Sequence, residues 1–175
     1  VLDLESVHST DRLTIEPLVP AHAAELFVPL CDPRLYALIP EAPPASEEAL
    51  RARYQRLAGR RSPDGAELWL NWVLRAGADA VGTLQATVAG RRGSIAYVVF
   101  VAHQRRGYAT LGTRWVLGWL SAELGVTSAR ATVDTRNAAS IALLRRLGFE
   151  LIGTGPSADT PGADDHGFER ALGPP

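Results

Sequence analysis

The chain contains no lysine: all 18 basic side chains are arginine, set against 19 acids for a net charge of −1. Any grip on phosphate must therefore come from guanidinium groups or backbone amides. With charge this close to balance, no global field draws the molecule to nucleic acid or to an acidic membrane. Cys31 stands alone, which excludes an internal disulfide and a Cys-rich zinc site. No apolar run reaches the roughly 18 residues that a membrane helix needs. The opening V-L-D-L-E-S lacks the basic and then apolar order of an export signal. A soluble, cytoplasmic protein is the expectation. Its 175 residues at 46% hydrophobic content suffice for one core, so a single domain over 1–175 is expected.

What is present is organised around Val98 to Thr110, V-V-F-V-A-H-Q-R-R-G-Y-A-T. The β-branched run Ile95 to Val101 reads as a buried strand. A polar turn follows, then a pattern of helical period. Strand, turn and helix in that order leave the first helical amides without intrahelical partners, where the dipole favours negative charge. Arg105, Arg106 and Gly107 complete a candidate phosphate cradle.

Upstream, Arg12 to Glu16 alternates as a strand, and Pro20 opens a helix over A-H-A-A-E-L-F-V. Four prolines between Cys31 and Pro44 exclude continuous helix or central strand there. Ser46 is placed to cap a second helix, with Glu47 and Glu48 in its first turn. Glu67–Leu74, Val81–Val88 and Ser94–Val101, joined by glycine-bearing turns, predict an antiparallel meander. The next helix, Leu111 to Leu124, carries Trp115 and Trp119 and ends at Gly125. A strand Ala129–Asp134 would lie parallel to its predecessor, because a helix connects them. Asn137 caps a short helix ending before Gly148, and Phe149–Gly153 and His166–Leu172 read as closing strands. The pattern is α+β: a mixed, mostly antiparallel sheet flanked by helices, splayed where the pairing changes.

Q-R-R-G-Y-A resembles the Q/R-x-x-G-x-G/A signature of the GNAT N-acetyltransferases, and N-A-A-S-I-A-L-L-R-R-L-G-F resembles a second segment of that family in the same order and spacing. The match is good over Val81 to Phe149 and loose over the first sixty residues. The branch it is most similar to includes the ribosomal-protein N-terminal acetyltransferases. The resemblance implies the acyl-CoA N-acyltransferase fold and acetyl-CoA as cofactor. It also implies pyrophosphate binding by Gln104, Arg105, Arg106, Gly107, Tyr108, Ala109 and Thr110, with backbone contacts from Val98 and Val99 to the pantetheine arm. Asn137, a helix cap on any reading, would also touch cofactor, and Ser140 would protonate the leaving thiolate. Many members carry a tyrosine four residues after this serine; Leu144 stands there instead.

The residues leave the general base open among Glu67, Asp134, His103 and Tyr97, the last read chiefly as a cleft wall. Asp159, Asp164, Asp165 and His166 have no fixed metal-ligand spacing, so no metal is assigned. The Arg-Arg pairs at 60/61, 91/92 and 145/146 are separated and balanced by acids, which reads as solvated surface. The expected reaction is acetyl transfer from acetyl-CoA to a primary amine, by direct attack in a ternary complex. The alternatives are a non-catalytic acyl-CoA sensor or assembly subunit, or a same-fold enzyme using a different acyl-CoA. Exposed aromatic side chains on the Leu111–Leu124 helix and the strand-like C-terminus suggest a homodimer.

Overall fold

The computed structural model describes residues 3–173; residues 1, 2, 174 and 175 of the expected domain lie outside them. Eight strands form one open sheet: β1 (His8–Ser9), β2 (Thr14–Pro17), β3 (Leu68–Ala76), β4 (Asp79–Ala89), β5 (Arg92–Val99), β6 (Ser128–Asp134), β7 (Glu150–Pro156) and β8 (Asp164–Ala171). Their order is β1-β2-β3-β4-β5-β6-β8-β7. Every pairing is antiparallel except β5 with β6. Four α-helices flank it: α1 (Ala23–Leu30), α2 (Glu47–Leu57), α3 (Tyr108–Leu124) and α4 (Ala138–Arg146).

The meander forms as its alternation dictates. β3 is covered on both faces: Trp72 and Leu74 join the larger core with α3, while Val73 between them joins a second cluster with α1 and α2. The two faces follow from the period-2 geometry of a strand. In α3, Val116, Trp119 and Leu120 are buried, each worth roughly 1.5–3 kcal/mol on removal from water. Trp115 and Trp119 stack at 5.9 Å and meet Trp72 edge-on at 5.5 and 5.6 Å. These rings belong to the core, so α3 does not present the aromatic face that is one of the two grounds for expecting a homodimer.

Several boundaries differ from the sequence expectation. The first helix begins as a 3-10 turn at Pro20–His22 before α1. β5 stops at Val99 rather than Val101, because Phe100 donates its N–H to Val81 and the chain then winds into a 3-10 turn at Val101–His103. That turn swings the chain out of the sheet and lets α3 begin at Tyr108, a turn earlier than Leu111. The last strand also inserts between β6 and β7 instead of adding to the edge.

Parallel pairing of β5 with β6 lasts only three residues, Arg92–Ser94 against Ser128–Arg130. Beyond them the strands diverge, and both diverging edges line a cavity of about 540 Å³. The sheet is splayed at the point the connection pattern predicts.

Candidate active site

Two strand-to-helix junctions meet the splayed strands. The first follows β5. Gly107 has φ +84°, and a Cβ built on it would meet no protein atom within 4 Å. Arg105 also lies in the left-handed region, at φ +62°, a conformation uncommon for a residue with a side chain. The need for glycine at 107 is thus conformational, and the space beside it is open. Behind the turn, the N–H groups of Tyr108, Ala109 and Thr110 open α3 and have no acceptor within the helix. Gln104 to Gly107 are exposed and Tyr108 to Thr110 half-buried. Amides, two guanidinium groups and open space together suit a diphosphate.

Gln104 spends its side chain locally: its Nε2 donates to the Val99 carbonyl at 3.2 Å. This leaves main-chain groups as its means of meeting a phosphate and occupies one Val99 group expected to face the pantetheine. Val98 lines the cavity. Gly82 on β4 keeps this part of β5 close, since a Cβ there would stand 2.2 Å from the Val98 carbonyl oxygen.

A further residue holds the turn. Arg12 Nη2 donates to the Arg106 carbonyl at 3.1 Å, and its guanidinium lies 5.6 Å from the centre of the Tyr108 ring. In a trans peptide, C=O and the following N–H point in opposite directions. By holding the Arg106 oxygen on one side, Arg12 therefore directs the Gly107 N–H to the other. The alternating pattern around Arg12 marks a strand start and gives no hint of this contact, made across 94 positions in sequence.

The second junction follows β6. Asn137 caps α4, its Oδ1 accepting the Ser140 N–H at 3.0 Å. Ser140 Oγ lies 2.6 Å from the Tyr97 hydroxyl on the opposite strand edge. Tyr97, Asn137 and Ser140 all line the cavity. Burial raises the Tyr97 phenol above its ordinary value, partly offset by the Ser140 hydrogen bond, so it stays neutral near pH 7 and can donate or accept. Reading Tyr97 as a wall captured its place and missed its partner. Leu144 sits in the core.

The other base candidates, and the acidic residues and His166 near the C-terminus, separate clearly. Asp134 lines the cavity, but both its oxygens are taken by Arg136, through backbone N–H at 2.8 Å, Nε at 2.9 Å and Nη2 at 2.6 Å. The Arg136 side-chain and backbone hydrogen bonds hold its carboxyl down to about 2, too low to accept a proton from an amine near neutrality. Glu67 accepts from the Trp69 indole at 2.9 Å. His103 lies in the 3-10 turn. His166 Nδ1 is 2.7 Å from Thr154 Oγ1. Asp159 and Asp165 line the cavity.

The far wall comes from the proline-bearing segment and α2, including Leu35, Ile39, Leu50 and Tyr54. Ser46 Oγ caps α2 by accepting the Ala49 N–H at 3.1 Å. Tyr36 donates to the Leu30 carbonyl at 2.7 Å, and Arg53 Nη1 meets Glu41 at 3.0 Å. Burial pushes the Tyr54 phenol up to about 12.

Among solved structures, a probable acetyltransferase (GNAT family) from Chromobacterium violaceum is 27% identical, with a TM-score of 0.78 over 95% of this chain and 86% of that one. Ribosomal-protein-S5-alanine acetyltransferase from Vibrio fischeri is 15% identical, at 0.82 over 95% and 97%. The ribosomal L7/L12 alpha-N-protein acetyltransferase RimL in complex with coenzyme A is 17% identical, at 0.83 over 95% and 98%. The last two likenesses speak for the fold alone. No curated protein sequence matches the chain. The acetyltransferase (GNAT) domain model matches residues 12–150, reaching back to the arginine that braces the cradle. With its splayed sheet and this match over most of its length, the chain belongs to the GNAT acetyltransferase family, whose cofactor is acetyl-CoA.

Proposed function

We propose that the protein is an N-acetyltransferase that moves the acetyl group of acetyl-CoA to a primary amine by direct attack within a ternary complex. The observation that carries this reading is the 2.6 Å pair of Tyr97 and Ser140 hydroxyls, set in the wall of the cleft between the splayed strands. Acetyl-CoA, when bound, supplies an activated thioester. The cradle amides from Tyr108 to Thr110, with Gln104 to Gly107, hold diphosphate, while the β5 backbone at Val98 and Val99, its Val99 carbonyl already held by Gln104, and the cap Asn137 orient the arm.

Ser140 is the proton donor to the departing sulfur. A serine hydroxyl is a weak acid, but the Tyr97 hydroxyl can refill its proton through the short bond between them, so the pair acts as a relay. A thiol has an ordinary pKa of about 8.5, so protonation helps the departure moderately. Direct attack is favoured because the chain's one thiol, Cys31, does not line the cavity. Asp159 and Asp165 add negative charge to the cleft, which attracts an ammonium group before it loses its proton.

The test is free thiol released from acetyl-CoA with and without a mixture of primary amines, with mass analysis of the amines. Thiol release that needs an amine, matched by a 42 Da gain on that amine, is the expected result. Release without an amine, or none despite tight acetyl-CoA binding, would overturn the assignment.

A further inference from the structure

Away from Tyr97 and Ser140, the cavity contains a second set of polar groups that the transfer chemistry does not use. Tyr54 is 5% exposed, and no hydrogen-bond partner for its hydroxyl is found among the described residues. Thr113 Oγ1 is the one fully enclosed side-chain polar atom without a partner among them. The Tyr54 hydroxyl therefore keeps contact with open space, and the space it borders is the cavity it lines. A phenol otherwise sealed in a core of Leu18, Leu35 and Leu50, with its hydroxyl left unpaired on a cleft, is arranged to meet a ligand.

The neighbouring groups fix what that ligand offers. Arg53 and Arg56 line the cavity on the same helix. Arg53 is held by Glu41, whereas Arg56 makes only a long 3.4 Å bond to the Ala52 carbonyl and no ion pair among the described residues. Guanidinium groups donate and cannot accept, so the complementary ligand group is a hydrogen-bond-accepting oxygen. Around them the wall is apolar: Leu30, Leu35, Leu38, Ile39, Leu50 and Leu57. A polycation would set ammonium groups against hydrocarbon and Arg56, and Glu41, the carboxylate on this wall, is already paired with Arg53.

We infer that the α2 face bearing Tyr54 and Arg56 is the acceptor-selecting subsite, and that it takes a monoamine with an apolar skeleton and one hydrogen-bond-accepting oxygen, held by the Tyr54 hydroxyl. This rests on the acetyltransferase reading above. The amine end then lies toward Asp159 and Asp165, the carboxylates lining the cavity that form no ion pair among the described residues. Such a unit exists both as a free amino-acid amide and as the first residue of a peptide.

Tyr54→Phe removes one oxygen and keeps the packed ring. The intact protein and this variant are assayed with L-leucinamide, with 3-methylbutylamine (the same skeleton without the carbonyl), with the dipeptide leucylglycine and with spermidine. The intact protein should prefer leucinamide over 3-methylbutylamine roughly tenfold in kcat/KM, as one well-made hydrogen bond allows. In Tyr54→Phe that ratio should fall to within about twofold, through KM for the amine rather than kcat. Calorimetry of leucinamide binding to the CoA-loaded protein should show the same loss. Comparing leucylglycine with leucinamide reads which source of the unit is favoured. An unaltered preference in Tyr54→Phe, an equal loss for both amines, or preference for spermidine overturns the subsite while leaving the acetyltransferase reading standing. No turnover of any amine overturns both.

Discussion

The two walls of the cleft are built by different means. The wall we assign to the cofactor, from β5 and β6 into the starts of α3 and α4, is shaped by the main chain: left-handed backbone at Arg105 and Gly107, a β4–β5 approach so close that a Cβ on Gly82 would stand 2.2 Å from the Val98 carbonyl oxygen, and a capped helix at Asn137. The wall we assign to the acceptor, from Leu30 to Leu57, is held by side chains, through Tyr36 on the Leu30 carbonyl and Glu41 on Arg53. A cofactor that is always the same suits a rigid main-chain mould. An acceptor wall made of side chains can change its preference by substitution without disturbing that mould.

The sharpest way to break the comparison is Gly107→Val. A β-branched residue at φ +84° is strongly disfavoured, so the turn must rearrange and its amides lose their aim. Acetyl-CoA affinity should fall below calorimetric detection, with the circular dichroism of the fold retained. Ser140→Ala comes next in size. It should lower kcat about 100-fold, the low end for general acid catalysis, with little change in KM for acetyl-CoA. Tyr97→Phe, which leaves Ser140 in place, should cost less.

Arg12→Ala tests whether the cradle is braced from outside. One hydrogen bond of about 1 kcal/mol corresponds to roughly fivefold, expected in KM for acetyl-CoA with kcat kept. Arg12→Lys should recover part of the loss. The smallest effects concern the scaffold. Thr113 Oγ1 is buried without a partner, so Thr113→Val should raise stability by about 1 kcal/mol in urea unfolding. Asp134 has its carboxyl depressed to about 2. Its contribution is therefore whole above the ordinary aspartate value near 4 and fades as pH falls through 2. Asp134→Asn should flatten the stability profile in that interval and leave it unchanged in slope near neutrality.

The same division explains what could be read from the residues. Gly107 and Asn137 are legible because a turn of positive φ and a helix cap restrict which residues can serve, whereas Ser140 is reached only through the family resemblance. The meander and the splay follow from strand alternation and from one helical crossover. Tyr97 is half legible: its strand is plain, while its partner depends on the angle at which β5 and β6 diverge. The contact of Arg12 with the turn is illegible, since it spans 94 positions, and so is the place of Tyr54 on the cavity. The inserted position of β8 is hidden for the same reason, because nothing local tells a closing strand on which side of β7 to lie. The tryptophans of α3 show the opposite failure, where a correct helix carried the wrong exposure.

The central claim is that acetyl-CoA lies between the diverging edges of β5 and β6 with its diphosphate on the start of α3. Backbone hydrogen exchange with and without acetyl-CoA tests it most directly. Protection should rise at Val98–Val99, at Arg105–Thr110 and around Asn137–Ser140, and stay unchanged along the edge strand Glu150–Pro156. Protection confined to other segments, or none at Arg105–Thr110 despite binding, would contradict it.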